Sequence, residues 1–303
     1  GGQNGIMGLT APSLGGLAQG ERAMALLAIG AAALALAGYA WLSRGTWGAA
    51  MRAVRDAETA AESVGLNPLA IKTVAFAVSA LCAAAAGALF APLSGFVTPH
   101  TFGFVQSILF VLVVMIGGAG SVAGPLVGAI IVGLLPELLS GLEEYRLLFF
   151  GAMLLLVLWV APDGVAGLVR RLRERLLPRR AVAASAPASA TLALPTRARQ
   201  PISAQGLTMQ FGGVRAVSDL HFTAQAGQVT SLIGPNGAGK STALNMLGGF
   251  YLPTAGAFAL GGQALQGQNA MQISRRGVAR TYQTSQLFGS LSVQDNVVIA
   301  MQL

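Results

Sequence analysis

Five apolar runs, separated by short polar segments, occupy the first half of the chain. Two of them are uncharged and long enough to cross a bilayer as helices, and three are shorter and richer in glycine. Pro125 and Pro136 fall inside the fourth run, where they disfavour a regular helix. The pattern predicts membrane-spanning helices over Ala23–Leu42, Thr73–Leu93, Phe102–Gly118, Val122–Leu139 and Leu147–Pro162.

The second half has short β-like runs and turns instead. SAQGLTMQF and GQVTSLI predict strands, the second of them buried, and Lys240 to Leu247 predicts a helix. Strand, glycine loop and helix in this order are typical of an α/β fold. We therefore expect a multi-span α-helical membrane domain at 1–169, a basic juxtamembrane segment and flexible linker at 170–200, and a partial α/β P-loop domain at 201–303.

Composition supports a membrane protein, because 54% of the residues are hydrophobic, 10% are charged and the mean hydropathy is +0.64. The net charge of +8 is concentrated: residues 1–169 carry −2, residues 170–200 carry +7 and residues 201–303 carry +3. A basic stretch beside membrane helices suits anionic lipid headgroups. No folded region carries a basic stripe, so the charge does not favour nucleic-acid binding.

Arginine and lysine in the polar segments predict the orientation, since positively charged loops stay in the cytoplasm. Five spans that begin outside place both basic segments, Ser43–Lys72 and the stretch after Pro162, on the inside. The α/β domain is then cytoplasmic. The chain opens with Gly-Gly and has no charged n-region or cleavage pattern, so we expect a fragment without a signal peptide. Its one cysteine, Cys82, lies in an apolar run and forms no intramolecular disulfide.

The stretch LIGPNGAGKST carries the pattern GxxxxGK[ST], which should arise by chance in a chain this long with a probability of about 1%. Glycines let backbone N–H groups point into a concave cradle for phosphate oxygens, and the N-terminus of the following helix adds partial positive charge. Lys240 would reach the β- and γ-phosphates, and the Ser241 hydroxyl would ligate Mg²⁺. The predicted nucleotide-binding residues are Gly234, Pro235, Asn236, Gly237, Ala238, Gly239, Lys240, Ser241 and Thr242.

GPNGAGKST resembles the Walker A loop of ABC transporter ATPases. The flanking LTMQFGGVRAVSDLHF and GVARTYQTSQLFGSLSVQDNV resemble the ATPase subunit of branched-chain amino acid importers. The resemblance implies ATP and Mg²⁺ as cofactors, and an aromatic stack of Phe211 on adenine. It also places Gln283 at the Q-loop position, where the family's glutamine touches Mg²⁺ or the attacking water. Tyr282 stands where the family more often has Phe.

The first half resembles the branched-chain amino acid permease family, through GGQNGIMGL, GGAGSVAGPLVG and the run from LLPELL to GVAGL. Gly120, Gly124 and Gly128 are spaced for close helix approach. The loop at 51–68 predicts a helix that Gly65 and Pro68 end, and it resembles the EAA loop of importer permeases. Its pattern falls on Thr59, Ala60, Ala61 and Gly65, and in the family this helix docks on the ATPase. Thr59 replaces the family's Glu. Gly2 and Asn4 are candidates for substrate contact.

These resemblances imply a fused permease-ATPase subunit of an inner-membrane importer of branched-chain or related hydrophobic amino acids. Its expected partners are a second permease, a second ATPase, a periplasmic substrate-binding protein and membrane lipid. An importer of urea or short amides is an alternative, as is a catalytically dead membrane fragment that binds nucleotide. A membrane GTPase is disfavoured because NKxD and DxxG do not occur.

The residues 1–303 do not contain every motif that the resemblance calls for. No LSGGQ signature, Walker B Asp-Glu or switch histidine follows the loop, and His221 precedes it. The catalytic set is thus incomplete, with Gln283 its one candidate. We expect residues 1–303 alone to hydrolyse ATP far more slowly than the usual enzyme scale of about 1 per second.

Overall fold

The computed structural model describes residues 5–9, 21–138, 146–160, 163–176, 199–282 and 286–301. Within these residues the helices are α1 Glu21–Leu42, α2 Gly45–Asp56, α3 Glu58–Ser63, α4 Pro68–Ser94, α5 Phe104–Gly117, α6 Gly124–Leu138, α7 Arg146–Val160, α8 Gly164–Leu176, α9 Lys240–Leu247, α10 Ala270–Arg275 and α11 Val293–Met301. The strands are β1 Ile6–Met7, β2 Phe96–Val97, β3 Ile202–Phe211, β4 Val214–Ala224, β5 Ala255–Leu260 and β6 Gln263–Ala264. One compact unit comprises 1–41 and 79–190, and the other comprises 42–78 and 191–303.

Each of the five predicted spans coincides with a helix, namely α1, α4, α5, α6 and α7. Two of these, over Arg22–Leu42 and Pro68–Ser94, are long and apolar enough to cross a membrane, while α5 and α6 contain shorter apolar stretches. Few side chains of the two long helices are buried, and Leu34 and Phe76 are 76% and 79% exposed. Apolar surface on this scale is typical of contact with lipid or with other proteins, so the helices fit a membrane protein.

The prolines in the fourth run do not prevent α6 from forming. Pro125 occupies the first turn, where a helix does not need the missing N–H, and Pro136 lies in the last turn. The far end of this predicted span, Leu139, lies outside the described residues, as do the candidate substrate residues Gly2 and Asn4.

Helices α5 and α6 pack closely through glycine. A Cβ on Gly124 would lie 2.2 Å from the Gly118 carbonyl oxygen, and one on Gly128 would lie 1.9 Å from that of Val113. Gly120 has no atom within 4 Å of such a Cβ, so Gly117, not Gly120, completes the contact, at 1.8 Å from the Gly124 oxygen. The small core between these helices contains Leu112, Ile116 and Val132.

Two further contacts of this unit lie near helix ends. Strand β1, before α1, pairs antiparallel with β2, which follows α4. At the junction of α7 and α8, a Cβ on Gly164 would lie 2.4 Å from Gly118 Cα, in the turn between α5 and α6. The α5–α6 turn and the start of α8 therefore meet.

In the second unit, an antiparallel sheet in the order β4-β3-β5-β6 covers α9. The hairpin between β3 and β4 pairs Ile202 with Ala224 at one end and Phe211 with Val214 at the other. The core beneath it includes Leu207, Met246 and Ile273, each with 0% exposure. Helix α9 has the predicted bounds, and its Ala243, Met246 and Leu247 face this core.

One predicted strand is wrong. The run GQVTSLI forms no strand, and its Val229 and Ile233 are 96% and 95% exposed. A buried strand needs neighbours that hydrogen-bond its N–H and C=O groups and cover both of its faces. Within the described residues, β3 to β6 pair with one another and none pairs with this run.

The polar segment before α4 contains two helices where the sequence predicts one. Ala57 is extended, with φ of −155° and ψ of 91°, and separates α2 from α3. Gly65, with φ of 76°, ends the segment as predicted because glycine adopts the left-handed conformation at low cost. Pro68 begins α4, at a position that tolerates proline.

We predict that Gly128→Ala weakens the packing of α5 on α6. The new methyl group would collide with the Val113 carbonyl, and such overpacking costs about 1–3 kcal/mol. Gly133→Ala, in the same helix but with nothing within 4 Å, is the matched control and should be neutral or stabilising. Thermal unfolding of the detergent-solubilised chain measures both variants. Equal midpoints for the two would contradict the proposed close contact.

Candidate functional site

A glycine-rich loop, residues 234–239, leads into α9 and forms the first part of the site. Gly237 and Gly239 have φ of 85° and 79°, in the left-handed region that favours glycine. A Cβ on Gly239 would lie 2.2 Å from the carbonyl oxygen of Ala216 on β4. Both the turn and the close approach to the strand therefore require glycine, and together they fix the loop at the N-terminus of α9.

Lys240, the first residue of α9, folds its side chain back over this loop. Its Nζ donates to the carbonyl oxygens of Gly234 at 2.8 Å and Pro235 at 2.6 Å. Lys240 is half-buried, whereas the neighbouring Ser241 is exposed. Since the first N–H groups of a helix have no intrahelical acceptor, the loop and helix together offer backbone donors, an ammonium group and a hydroxyl.

This set of donors fits the phosphates of a nucleotide, because it is positively polarised and contains no carboxylate. Among the described residues, no group of three or more His, Cys, Asp or Glu is placed to hold a metal ion. A magnesium ion here would take its ligands from phosphate oxygens and the Ser241 hydroxyl. Gln283, the other predicted ligand, lies outside the described residues.

Phe211, the predicted adenine contact, is the last residue of β3 and is 43% exposed. Its ring packs edge-on against Tyr251, with 5.2 Å between ring centroids and an interplanar angle of 79°. Tyr251 lies four residues after α9 and outside every motif, so its sequence position gave no sign of this contact. The face of an exposed aromatic ring can stack on a base, and the role of Phe211 remains a prediction.

The second part of the site is the interface that α3 makes within its own unit, here called the α3 interface. Ala60 and Ala61 are 4% and 0% exposed and belong to one apolar cluster with Ile71, Phe288 and Ile299. Alanine has no side chain beyond Cβ, so the backbone of α3 can approach its neighbours closely. Close packing of these two alanines against the apolar cluster therefore holds this short helix in place.

Side chains from the C-terminal region cap the end of α3. The Ser274 hydroxyl donates to the Ser63 carbonyl at 2.6 Å, and the Arg275 guanidinium donates to the Gly65 carbonyl at 3.2 Å. The last carbonyls of a helix lack intrahelical partners and carry partial negative charge, so a hydroxyl and a cation are suited to them. These bonds join residues 211 and 210 positions apart in the chain.

Two further contacts hold the start of α3. The Tyr282 hydroxyl donates to the Thr59 carbonyl at 3.2 Å. The Asp56 carboxylate accepts from the Ser290 backbone N–H at 2.7 Å and from its hydroxyl at 2.5 Å. Hydrogen bonds to an ionised group are about twice as strong as neutral ones, and the Asp56 carboxylate accepts two of them from Ser290.

The surroundings of Asp56 favour its charged form. Burial raises the pKa of this carboxyl, but the two hydrogen bonds from Ser290 and the neighbouring Arg55 outweigh burial and hold the pKa below its usual value. Glu62 differs, because burial and repulsion by Glu58 raise its pKa, and attraction to Lys72 only partly offsets them. Asp56 therefore anchors the interface as an anion.

Arg280 connects the α3 interface to the nucleotide loop. Its guanidinium donates to the Asn245 side chain on α9 and lies 5.2 Å from the ring centroids of both Phe250 and Tyr282. Tyr282 in turn donates to Thr59. A continuous set of contacts thus runs from the helix that carries Lys240 to the helix that carries the EAA-like pattern.

The structure brings the four predicted coupling residues to this interface, Thr59 and Gly65 through their carbonyls and Ala60 and Ala61 through burial. The residues that hold them were not predicted from the sequence; they are Asp56, Ser63, Arg275, Phe288, Ser274 and Ser290. A serine or an aspartate in a polar segment gives no signal of a partner more than 200 positions away. Thr59 contributes a backbone carbonyl, and its neighbour Glu58 pairs with Lys72 at 2.6 Å.

Apolar helices followed by a glycine-loop domain define the chain as a membrane permease joined to an ABC-type ATP-binding domain. Residues 4–158 match the family described as the permease component of branched-chain amino acid transport systems, and residues 217–302 match the ABC transporter family. The first match covers more than half of the chain, which therefore belongs to the branched-chain amino acid transport permease family.

Curated relatives match the two parts separately. The branched-chain amino acid transport ATP-binding protein BraF of Pseudomonas aeruginosa is 44% identical over 102 residues, 34% of this chain and 40% of the relative. LivG of Escherichia coli K12, with the same description, is 46% identical over 102 residues, 33% of this chain and 40% of its own. The permease LivM of E. coli K12 is 37% identical over 123 residues, 41% of this chain and 29% of its own. The chain spans less than half the length of each.

We predict that Asp56 and Ser290 are energetically coupled. In a double-mutant cycle with Asp56→Ala and Ser290→Ala, the loss of a hydrogen bond to a charged group should give a coupling energy of about 1.5–3 kcal/mol, measured by denaturant unfolding at neutral pH. Because the folded pKa lies below the unfolded value of about 3.9, this contribution is present above that pH and is lost as the pH falls through the folded pKa.

A cycle of Asp56→Ala with Ser218→Ala, an exposed serine on β4, is the control and should be additive. Additivity in the Asp56–Ser290 cycle as well would show that the pair does not hold the interface.

Proposed function

We propose that this chain forms part of an ATP-driven importer of branched-chain or related hydrophobic amino acids, as a permease fused to its ATPase. The observation that carries the proposal is the α3 interface, where a permease-type loop helix packs within the same compact unit as a nucleotide-binding loop. A nucleotide-binding domain without a transport role has no need of such a helix. The names of the relatives favour amino acids over urea or short amides.

In this proposal the loop and α9 bind ATP. The backbone N–H groups of residues 236–239 surround the phosphates, and Lys240 exchanges the Gly234 and Pro235 carbonyls for β- and γ-phosphate oxygens. Ser241 supplies a hydroxyl to Mg²⁺, which offsets phosphate charge when bound. Phe211 covers the adenine, and Gln283 senses the γ-phosphate side of the site. The Asp-Glu and signature residues that complete hydrolysis would come from outside residues 1–303.

Transmission uses the contacts around Arg280. A shift of α9 on nucleotide binding moves Asn245, and Arg280 follows because it is bonded to that side chain. Tyr282 stacks with Arg280 and donates to Thr59, so the shift reaches the start of α3. A phenylalanine at position 282 could stack on Arg280 but could not donate to the Thr59 carbonyl, so the tyrosine hydroxyl is what links Arg280 to α3. Asp56 and Arg275 keep α3 attached while it moves.

The proposed setting is the inner membrane, with five spans in residues 1–169 and a cytoplasmic ATP-binding domain from 201. Between them, residues 170–200 form the basic juxtamembrane segment, which begins with the last part of α8, and the linker. Partners would be a second permease, a second ATPase and a periplasmic substrate-binding protein. The linker keeps the ATPase near its own permease and so raises its effective concentration. A substrate that is apolar beyond its amino and carboxyl groups suits a route lined by apolar helices.

We predict that Lys240→Ala lowers ATP affinity at least about tenfold, because it removes the one ammonium group from the loop. Lys72→Ala is a matched control, since Lys72 is the only other lysine and forms an exposed ion pair with Glu58. Equilibrium binding of labelled ATP to the reconstituted chain measures both. Equal affinities for the two variants would show that the loop does not hold the phosphates.

The same variants test transport in the transporter assembled with its partners in proteoliposomes. ATP-driven uptake of leucine should be present with the unaltered chain and with Lys72→Ala, and absent with Lys240→Ala. Uptake of urea without uptake of leucine would overturn the proposed substrate class.

A further inference from the structure

Helix α8 carries an apolar stripe along one face. Val165, Leu168, Val169, Leu172 and Leu176 recur at intervals of three and four and cover an arc of about 100° on a helix of 3.6 residues per turn. Four arginines and one glutamate occupy other positions of the same helix. The helix is thus amphipathic, and its polar side is strongly basic.

The stripe begins inside the helix bundle and continues beyond its protein contacts. Val165 packs against the core that contains Leu112, Ile116 and Val132. Further along the same face, Leu168 and Leu172 are 45% and 55% exposed, and Val169 and Leu176 are 59% and 70% exposed. The face that points toward the apolar bundle at its first turn is therefore left uncovered in its later turns by the described residues of this unit.

The position of α8 at the end of the helix bundle indicates what surrounds its exposed apolar stripe. Gly164 contacts Gly118 in the α5–α6 turn, so α8 starts at the end of the bundle. Arg171 pairs there with Asp163. Around a bundle of membrane-spanning helices, the space next to the apolar side chains is lipid. The uncovered stripe thus faces the edge of the bilayer and not bulk water.

The arginines of α8 indicate which kind of lipid it contacts. On the helical wheel, Arg175 lies beside Leu168 at one border of the stripe, and Arg173 lies beside Val169 at the other. Arginines at both borders can bury their aliphatic stems and raise their guanidinium groups to the headgroup level. Guanidinium groups bind phosphate oxygens in paired hydrogen bonds.

We propose that α8 is an interfacial helix that binds anionic phospholipid, with its stripe in the acyl boundary and Arg173 and Arg175 on headgroup phosphates. The inference rests on the proposed membrane placement of the bundle. It adds a lipid-binding surface next to the linker that leads to the ATP-binding domain. The composition of the surrounding leaflet would thus affect how firmly the start of this linker is held.

The test places an environment-sensitive fluorophore at Leu172→Cys in a Cys82→Ala background, with the whole chain in nanodiscs of phosphatidylcholine with or without phosphatidylglycerol. We expect blue-shifted emission and quenching by lipid-borne quenchers, both stronger with phosphatidylglycerol. Arg173→Gln and Arg175→Gln should each weaken the partitioning of the helix into anionic discs by about fivefold. Arg170→Gln removes the same charge from the opposite side and should have a smaller effect.

The results that would overturn the proposal are distinct from one another. A probe at position 172 that is shielded from water but not reached by lipid-borne quenchers would mean that protein covers the stripe and would overturn the proposal. Equal quenching with and without phosphatidylglycerol would overturn the anionic lipid assignment. A second probe at Leu34→Cys on α1 reports insertion of the bundle. Quenching at position 34 without quenching at 172 refutes this inference alone, whereas no quenching at either refutes the membrane placement.

Discussion

The attachment of α3 to the C-terminal region is the interaction on which the account depends. Six residues of helix are too few to be stable alone, so α3 exists because Ala60 and Ala61 are buried and because both of its ends are bonded to other parts of the unit. Asp56 accepts from Ser290 at one end, and Arg275 donates to Gly65 at the other. Without these bonds the loop would be an ordinary polar connection, and Tyr282 would have no ordered helix end to contact.

The α3 interface combines apolar packing with hydrogen bonds, and the two have different effects. Apolar burial is non-directional and supplies most of the attraction, whereas the hydrogen bonds to carbonyls and to Asp56 set the orientation. The contacts through Arg280 then connect that oriented helix to α9, because the guanidinium touches Asn245 and Tyr282 at once. An ionised anchor at Asp56 is suited to an interface that moves as one piece, since charged hydrogen bonds resist sliding more than apolar contacts do.

Local features of the sequence were sufficient for much of this structure. The five apolar helices and the bounds of α9 follow from hydropathy and from the glycine-lysine pattern, because both signals lie within the segment they describe. The contacts of Asp56, Ser274 and Ser290 did not follow, since their partners lie more than 200 positions away. The strand predicted at GQVTSLI is wrong for a related reason. Its hydrophobic residues favour a strand, but a strand also needs an adjacent strand to accept and donate its backbone hydrogen bonds, and no described strand lies beside this run. The break between α2 and α3 at Ala57 could not be predicted, because no glycine or proline lies there.

Cysteine cross-linking across the α3 interface tests the central claim most directly. With Cys82→Ala removing the native thiol, Ser63→Cys and Ser274→Cys place two thiols where a hydroxyl now meets the Ser63 carbonyl, and they leave the Asp56–Ser290 pair intact. In native membranes a short thiol-reactive cross-linker should join positions 63 and 274 efficiently, and denaturant should abolish the reaction. Cross-linking no greater than in the denatured chain would show that α3 does not dock on the ATP-binding region and would contradict the account.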